Sequence, residues 1–88
     1  MTSTTHIVNE WKSNAAAILD VRPELAAGGE PFVRILETAS GIGRDQSLLI
    51  IAPFEPAPLY DVLEQRGFSH ATVHISADEW IVRFTKQR

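Results

Sequence analysis

The sequence predicts an α/β fold of the α+β two-layer sandwich kind. The element order is β-α-β-α-β-β, giving a four-stranded mixed sheet with two helices on one face. Three observations carry this. The run Ser47-Leu48-Leu49-Ile50-Ile51-Ala52 is apolar on both faces, as a central strand covered on each side must be. Two stretches, Phe32 to Ala39 and Leu59 to Leu63, place their apolar residues at helical spacing. From His70 to Thr85, apolar and polar residues alternate with the period of two that half-buried strands show. At 88 residues and 44% hydrophobic side chains the chain can fill one core and not two. A single domain over residues 16–88 is therefore expected, behind an extension at 1–15.

Residues 1 to 6 are polar, rich in Ser and Thr and without periodicity, so they read as disordered. Ile7, Val8 and Trp11 have the spacing of one helical turn laid over the domain, while Asn9, Ser13 and Asn14 would equally fit an irregular lead-in; in either case the rest of the extension reads as ordered. Ala16 to Val21 reads as the first strand. It should stop near Arg22, because Pro23 pushes the preceding residue to extended geometry, and a loop through Gly28-Gly29 follows. From Pro31, which suits a first helical turn, Phe32, Ile35, Leu36 and Ala39 share one helical face. Gly41 is expected to end this helix in a left-handed conformation, with Ile42 folding back onto Leu36. Gly43-Arg44-Asp45 turns the chain into the central strand, which Pro53 ends. Pro56 and Pro58 fit the first turn of the second helix, whose buried stripe is Leu59, Val62 and Leu63; Gly67 stops it and Phe68 packs on Leu63.

Ala71, Val73 and Ile75 then alternate with His70, Thr72 and His74. After the Ala77-Asp78 turn, Trp80, Val82 and Phe84 alternate with Ile81, Arg83 and Thr85. The expected core is Leu19, Phe32, Ile35, Leu36, Ile50, Leu59, Val62, Leu63, Val73, Trp80 and Val82. The sheet face away from the helices is expected to be largely polar.

A net charge of −3 with scattered Lys and Arg argues against nucleic acid, since phosphate neutralisation needs clustered basic groups. The chain has no Cys, which removes disulfides, thiolate nucleophiles and Cys-based metal sites and suits a reducing compartment. The longest apolar run, Leu48 to Pro53, is too short to span a bilayer, and residues 1 to 15 lack a signal-peptide pattern. A cytoplasmic protein without membrane contact is expected. No P-loop, dinucleotide fingerprint or Ser/His/Asp series occurs, so no cofactor is expected and an enzyme is the less favoured reading. His70 and His74 would suit a zinc pair on a helix. On a strand they stand about 13 Å apart, too far for one ion, and read as solvated histidines.

Asp20, Arg22, Glu30 and Glu55 fall near the carboxyl ends of the first two strands, where open α/β sheets keep their ligand crevice. They could line a site. They could equally be structural, because a carboxylate at a helix N-terminus stabilises by about 0.3 to 1 kcal/mol. Their sign favours a basic partner group over phosphate or sulfate. Phe54, in the Pro-rich run Phe54-Glu55-Pro56-Ala57-Pro58, is either presented outward as an anchor or tucked under the second helix.

The pattern Leu19-Asp20-Val21-Arg22, then Glu30-Pro31-Phe32, then Ala52-Pro53-Phe54-Glu55-Pro56-Ala57-Pro58-Leu59-Tyr60, then Arg66-Gly67-Phe68 resembles the domain of unknown function 2249 family. That family is similar to the TusA-like (SirA-like) sulfur-carrier fold, and the resemblance covers about residues 16 to 86. It implies that the first three strands run parallel and the fourth antiparallel. It also implies that Gly28 stands where the carriers keep the Cys of a Cys-Pro-x-Pro motif, and Gly carries no sulfur. The reading that follows is a small non-catalytic binding or accessory module. It would hold a protein partner or small ligand through Asp20, Arg22, Gly28, Glu30, Phe54 and Glu55, or by its polar sheet face. The resemblance implies a link to redox, metal or nitrogen-oxide metabolism. Two alternatives stand beside it. One is an assisted sulfurtransferase or hydrolase with Asp20 and Glu30 in acid/base roles and Arg22 on an anionic group, all in one pocket. The other is a homo-oligomerisation unit, a homodimer pairing sheet faces or edges.

Overall fold

All six residues of the strand Ser47–Ala52 are buried, and that burial decides the architecture. In the computed structural model, which describes residues 4–88, this strand is β2. β1 (Ala17–Asp20) lies parallel on one side of it. On the other side β4 (Glu79–Lys86) runs antiparallel, inserted between β2 and β3 (Phe68–Ser76), so the strand order is β1-β2-β4-β3. β1, β2 and β3 therefore point one way and β4 the other. Four helices complete the described residues: α1 (Thr4–Asn14), α2 (Arg22–Ala26), α3 (Phe32–Ser40) and α4 (Ala57–Gln65).

The pleat of β2 sends Leu48, Ile50 and Ala52 to one face and Leu49 and Ile51 to the other. The first face forms the main core with Ile35 and Ala39 of α3, Leu59 and Leu63 of α4, and Val82 and Phe84 of β4. Phe68 joins the same cluster as Leu63, as the helix-stop reading of Gly67 requires, and Gly67 has the left-handed φ of 92°.

The second face is not polar. Val8 of α1 closes a second cluster with Leu49, Ile51 and Ile81, and Trp11, Ala15 and Val73 pack at its margin. The Arg83 guanidinium lies 4.8 Å from the Trp11 ring centroid, a cation–π contact at the edge of this layer. Two misread signals explain the correction. The turn carrying Val8 and Trp11 is set in a helix of eleven residues that covers the sheet, and β4 carries apolar side chains on both faces because it is central. The helix begins at Thr4, within the stretch expected to be disordered; residues 1–3 of that expectation lie outside the described residues.

Among the expected core residues, Ile35, Ile50, Leu59, Leu63 and Val82 are buried, and Leu19, Leu36, Val62 and Trp80 are half-buried. Val73 is half-buried on the α1 side, and Phe32 is exposed in the first turn of α3. Pro23 does not merely end the first strand. It sits in the first turn of α2, where its missing N–H costs nothing, so a short helix replaces part of the expected loop. Gly41 ends α3 with φ −89° and is not left-handed. Its N–H and that of Ile42 instead reach back to the carbonyls of Thr38 and Ala39. The left-handed residue of that connection is Asp45, at φ 67°, whose N–H donates to the Lys86 carbonyl at 2.9 Å.

Leu63→Ala is expected to cost about 2 to 5 kcal/mol in chemical denaturation, and Leu49→Ala, on the face that α1 covers, to fall in the same range. A Leu49→Ala loss below about 0.5 kcal/mol, the level of a surface substitution, would show that α1 does not shield the sheet.

Candidate functional site

At the carboxyl ends of β1 and β2 the chain leaves the sheet into α2 and into the proline-rich loop before α4. Between these exits and the start of α3 lies a cavity of about 250 Å³. Ile50 and Ala52 of β2 line it from the sheet, Val21 and Leu25 from the β1 exit, Phe32 and Ile35 of α3 with the preceding Pro31, and Pro58 and Leu59 of α4 with the preceding Pro56. Glu30 is its only charged lining residue. Phe54 completes the lining while 52% exposed, and Phe32 is 38% exposed, so two aromatic rings form the rim. Of the two readings of Phe54, the outward one holds.

Helix N-termini often hold anions, but these two are already spoken for. The Glu30 carboxylate accepts a hydrogen bond from the Phe32 N–H at 2.8 Å, capping α3 with the chain's own charge. In α4, Pro56 and Pro58 have no N–H to offer, and the N–H groups of Ala57 and Leu59 donate to the carbonyls of Glu55 and Pro56. The cavity therefore suits an apolar group, with Glu30 at hand for a basic one beside it.

The remaining sequence candidates lie elsewhere. Leu19 packs into the main core, so strand alternation turns Asp20 to the α1 side of the sheet. There Arg22 clamps it with two side-chain hydrogen bonds of 3.0 and 2.9 Å and a backbone N–H bond of 3.1 Å, and reaches Glu79 at 3.9 Å. The Arg22 hydrogen bond holds the Asp20 carboxyl below its usual range against a smaller desolvation in the opposite sense. Asp20 and Arg22 thus form an ion pair outside the cavity, and a pocket shared by Asp20, Arg22 and Glu30 is not formed. Glu55 accepts a 3.1 Å hydrogen bond from the Tyr60 hydroxyl, which also shares a 2.6 Å bond with Thr72. Burial raises the Tyr60 phenol above its ordinary value. Gly28 has φ 82° with open space where a side chain would start, so it serves the turn, and any Cβ there would be strained. Val21, Leu25, Ala52 and Leu59 were not singled out as site residues. Leu25 would have been found by reading Pro23 as a first-turn proline.

A second depression, larger at about 470 Å³ but more open, lies between Glu64, Gly67, His70 and the last residues Gln87 and Arg88. His70 stacks on Tyr60 with centroids 3.9 Å apart, and His74 on Trp80 at 3.8 Å. Both rings lie on the α4 face and not on an open polar face, because β3 turns Val73 toward α1 instead. Each ring remains exposed. Among the described residues no group of three His, Asp or Glu is placed to hold a metal, and no helix is long and apolar enough to cross a membrane.

Two predictions follow from these placements. His70 and His74, each stacked on a different partner, should shift independently or not at all when zinc is titrated in NMR, and saturable shifts of both at one equivalent would contradict that. Asp20 releases its proton more readily in the native state, so its contribution is complete above its ordinary value of 3.8 and is lost as pH falls through the lowered native value. Asp20→Asn should flatten the acid limb of the stability curve while changing little near neutrality, where a half-exposed pair is worth little. Denaturation at pH 7 and in acid tests this, and an unchanged acid limb would refute it.

Searches of curated proteins and of solved structures each return no match. A family model, described as Uncharacterized conserved protein (DUF2249), matches residues 18–86. Those residues hold the whole sheet except the first residue of β1, the helices α2, α3 and α4, and every residue lining the cavity, while α1, its connection and the last two residues fall outside them. The chain belongs to the DUF2249 family of uncharacterized conserved proteins.

Proposed function

We propose that this chain is a small non-catalytic binding module, and that its ligand is an apolar group seated in the cavity between α2, α3 and α4. The observation that carries this reading is the rim. Phe54 stays exposed on a proline-stiffened loop at the rim of an apolar cavity, although burying a Phe side chain stabilises by roughly 1.5 to 3 kcal/mol. Rigid, exposed aromatics beside a pocket are what partner recognition uses. Glu30 adds a preference for a positively charged neighbour of that apolar group.

A TusA-like ancestry for the fold is part of this proposal. The common direction of β1, β2 and β3, the reversed β4 and the pair α3 and α4 on one face support it. With Gly28 where the carriers keep their cysteine, the fold would serve here without the chemistry. An accessory role in redox, metal or nitrogen-oxide metabolism, in the cytoplasm, fits that ancestry and the absence of Cys.

Apolar fragments titrated into the labelled protein should move the amide signals of Val21, Leu25, Ile35, Ala52 and Leu59 together and saturably. Phe54→Ala should weaken the best of them by about tenfold, the loss of a modest anchor. Binding at the Gly67–His70 depression instead, or no binding at millimolar fragment, would overturn the proposal.

A further inference from the structure

The two edges of the sheet are unlike. β1 is a four-residue edge that ends in the ion-paired Asp20, the short and charged kind of edge that resists further pairing. β3 is nine residues long, pairs among the described residues only with β4, and carries no Lys, Arg, Asp, Glu or Pro. Every second residue of such a strand turns its N–H and C=O outward with no partner. Its pairing with β4 is continuous from Phe68 to His74, and the irregularity between His74 and Ser76 limits the regular stretch to those residues.

We propose that β3 pairs antiparallel with β3 of a second copy about a two-fold axis at Ala71, joining two sheets into one of eight strands. The second copy is the occupant because the strand is complementary to itself. Ala71 is the midpoint of the regular stretch, and its small side chain meets its own equivalent at the axis. His70 then faces Thr72, Ser69 faces Val73, and Phe68 faces His74, so each opposed pair shares a sheet face and none sets two charged residues against each other. A two-fold, self-complementary contact is the commonest way for a chain to associate with itself. The strand contact alone is small, so the dimer forms and dissociates with concentration.

Sedimentation of the wild-type chain over a dilution series should show a monomer–dimer equilibrium. A71K and A71E should each be monomeric, because like charges meet at the axis, and an equimolar mixture of the two should recover the dimer as a heterodimer. Circular dichroism checks that each variant folds, since Ala71 sits beside Arg83 of β4. Hydrogen exchange on the wild type gives a readout that needs no variant: outward amides between Phe68 and His74 should slow as concentration rises. A chain that is monomeric throughout, a dimer that survives in both variants, a folded mixture that fails to restore it, or β3 amides indifferent to concentration would each overturn the proposal. A monomer whose β3 amides slow only with added extended peptide would assign the edge to a different partner.

Discussion

The burial of β2 on both faces is the constraint on which the rest of this structure depends. Six consecutive residues with no exposed side chain require a layer on each side. The helices α3 and α4 supply one layer and α1 the other. The same constraint explains the insertion of β4 beside β2, since only a strand with apolar residues of both parities, Ile81 on one face and Val82 and Phe84 on the other, can continue both cores outward. It also positions the cavity. Ala52, the last residue of β2, is small, and the chain must splay into α4 beyond it, so the main core thins at that end.

Much of this was legible because it rests on strong periodicities. The helical stripes of α3 and α4 and the doubly apolar β2 leave little choice of partner. The parity of β3 was not legible. Ala71, Val73 and Ile75 look like the buried set, yet His70 and Thr72 lie toward α4, where Tyr60 stacks on one and hydrogen-bonds the other. An aromatic residue with a hydroxyl makes a polar strand face acceptable against a helix, and no alternation rule registers that. The N-terminal helix was legible only as the single turn of Ile7, Val8 and Trp11, for a different reason. Its stripe is weak, with Val8 as its only buried residue, so its own spacing signals one turn and not the full length from Thr4 to Asn14.

The candidate site divides along the same line. Glu30 and Phe54 were found because they belong to the loops at the carboxyl ends of the strands. Asp20 and Arg22 belong to that end too, but one step of strand alternation separates Asp20 from Leu19 and carries the pair to the far side of the sheet. Position along a strand is readable from sequence, whereas the face depends on which neighbour is buried. The charges that remain near the cavity each make a local contact, and of these Glu30 keeps its second carboxylate oxygen free of one. Glu30 caps α3, the α4 start is closed by prolines, and Glu24 pairs with Arg34 beside α2. Apart from that oxygen, what stays unsatisfied at that end of the molecule is apolar.

The helix α1 lies outside the matched residues, and it precedes in the chain the surface on which it rests. Eleven residues are too few for a stable helix in water without a partner. Its seat is assembled from β2 and β4, the latter the last strand of the chain. During synthesis the segment therefore leaves the ribosome before β2 and β4 do, and it can dock only after those strands exist to receive it. Until then Leu49, Ile51 and Ile81 face water as a half-finished molecule's sticky side, and the interval between closing the main core and docking this helix is when the nascent chain is most open to unwanted company.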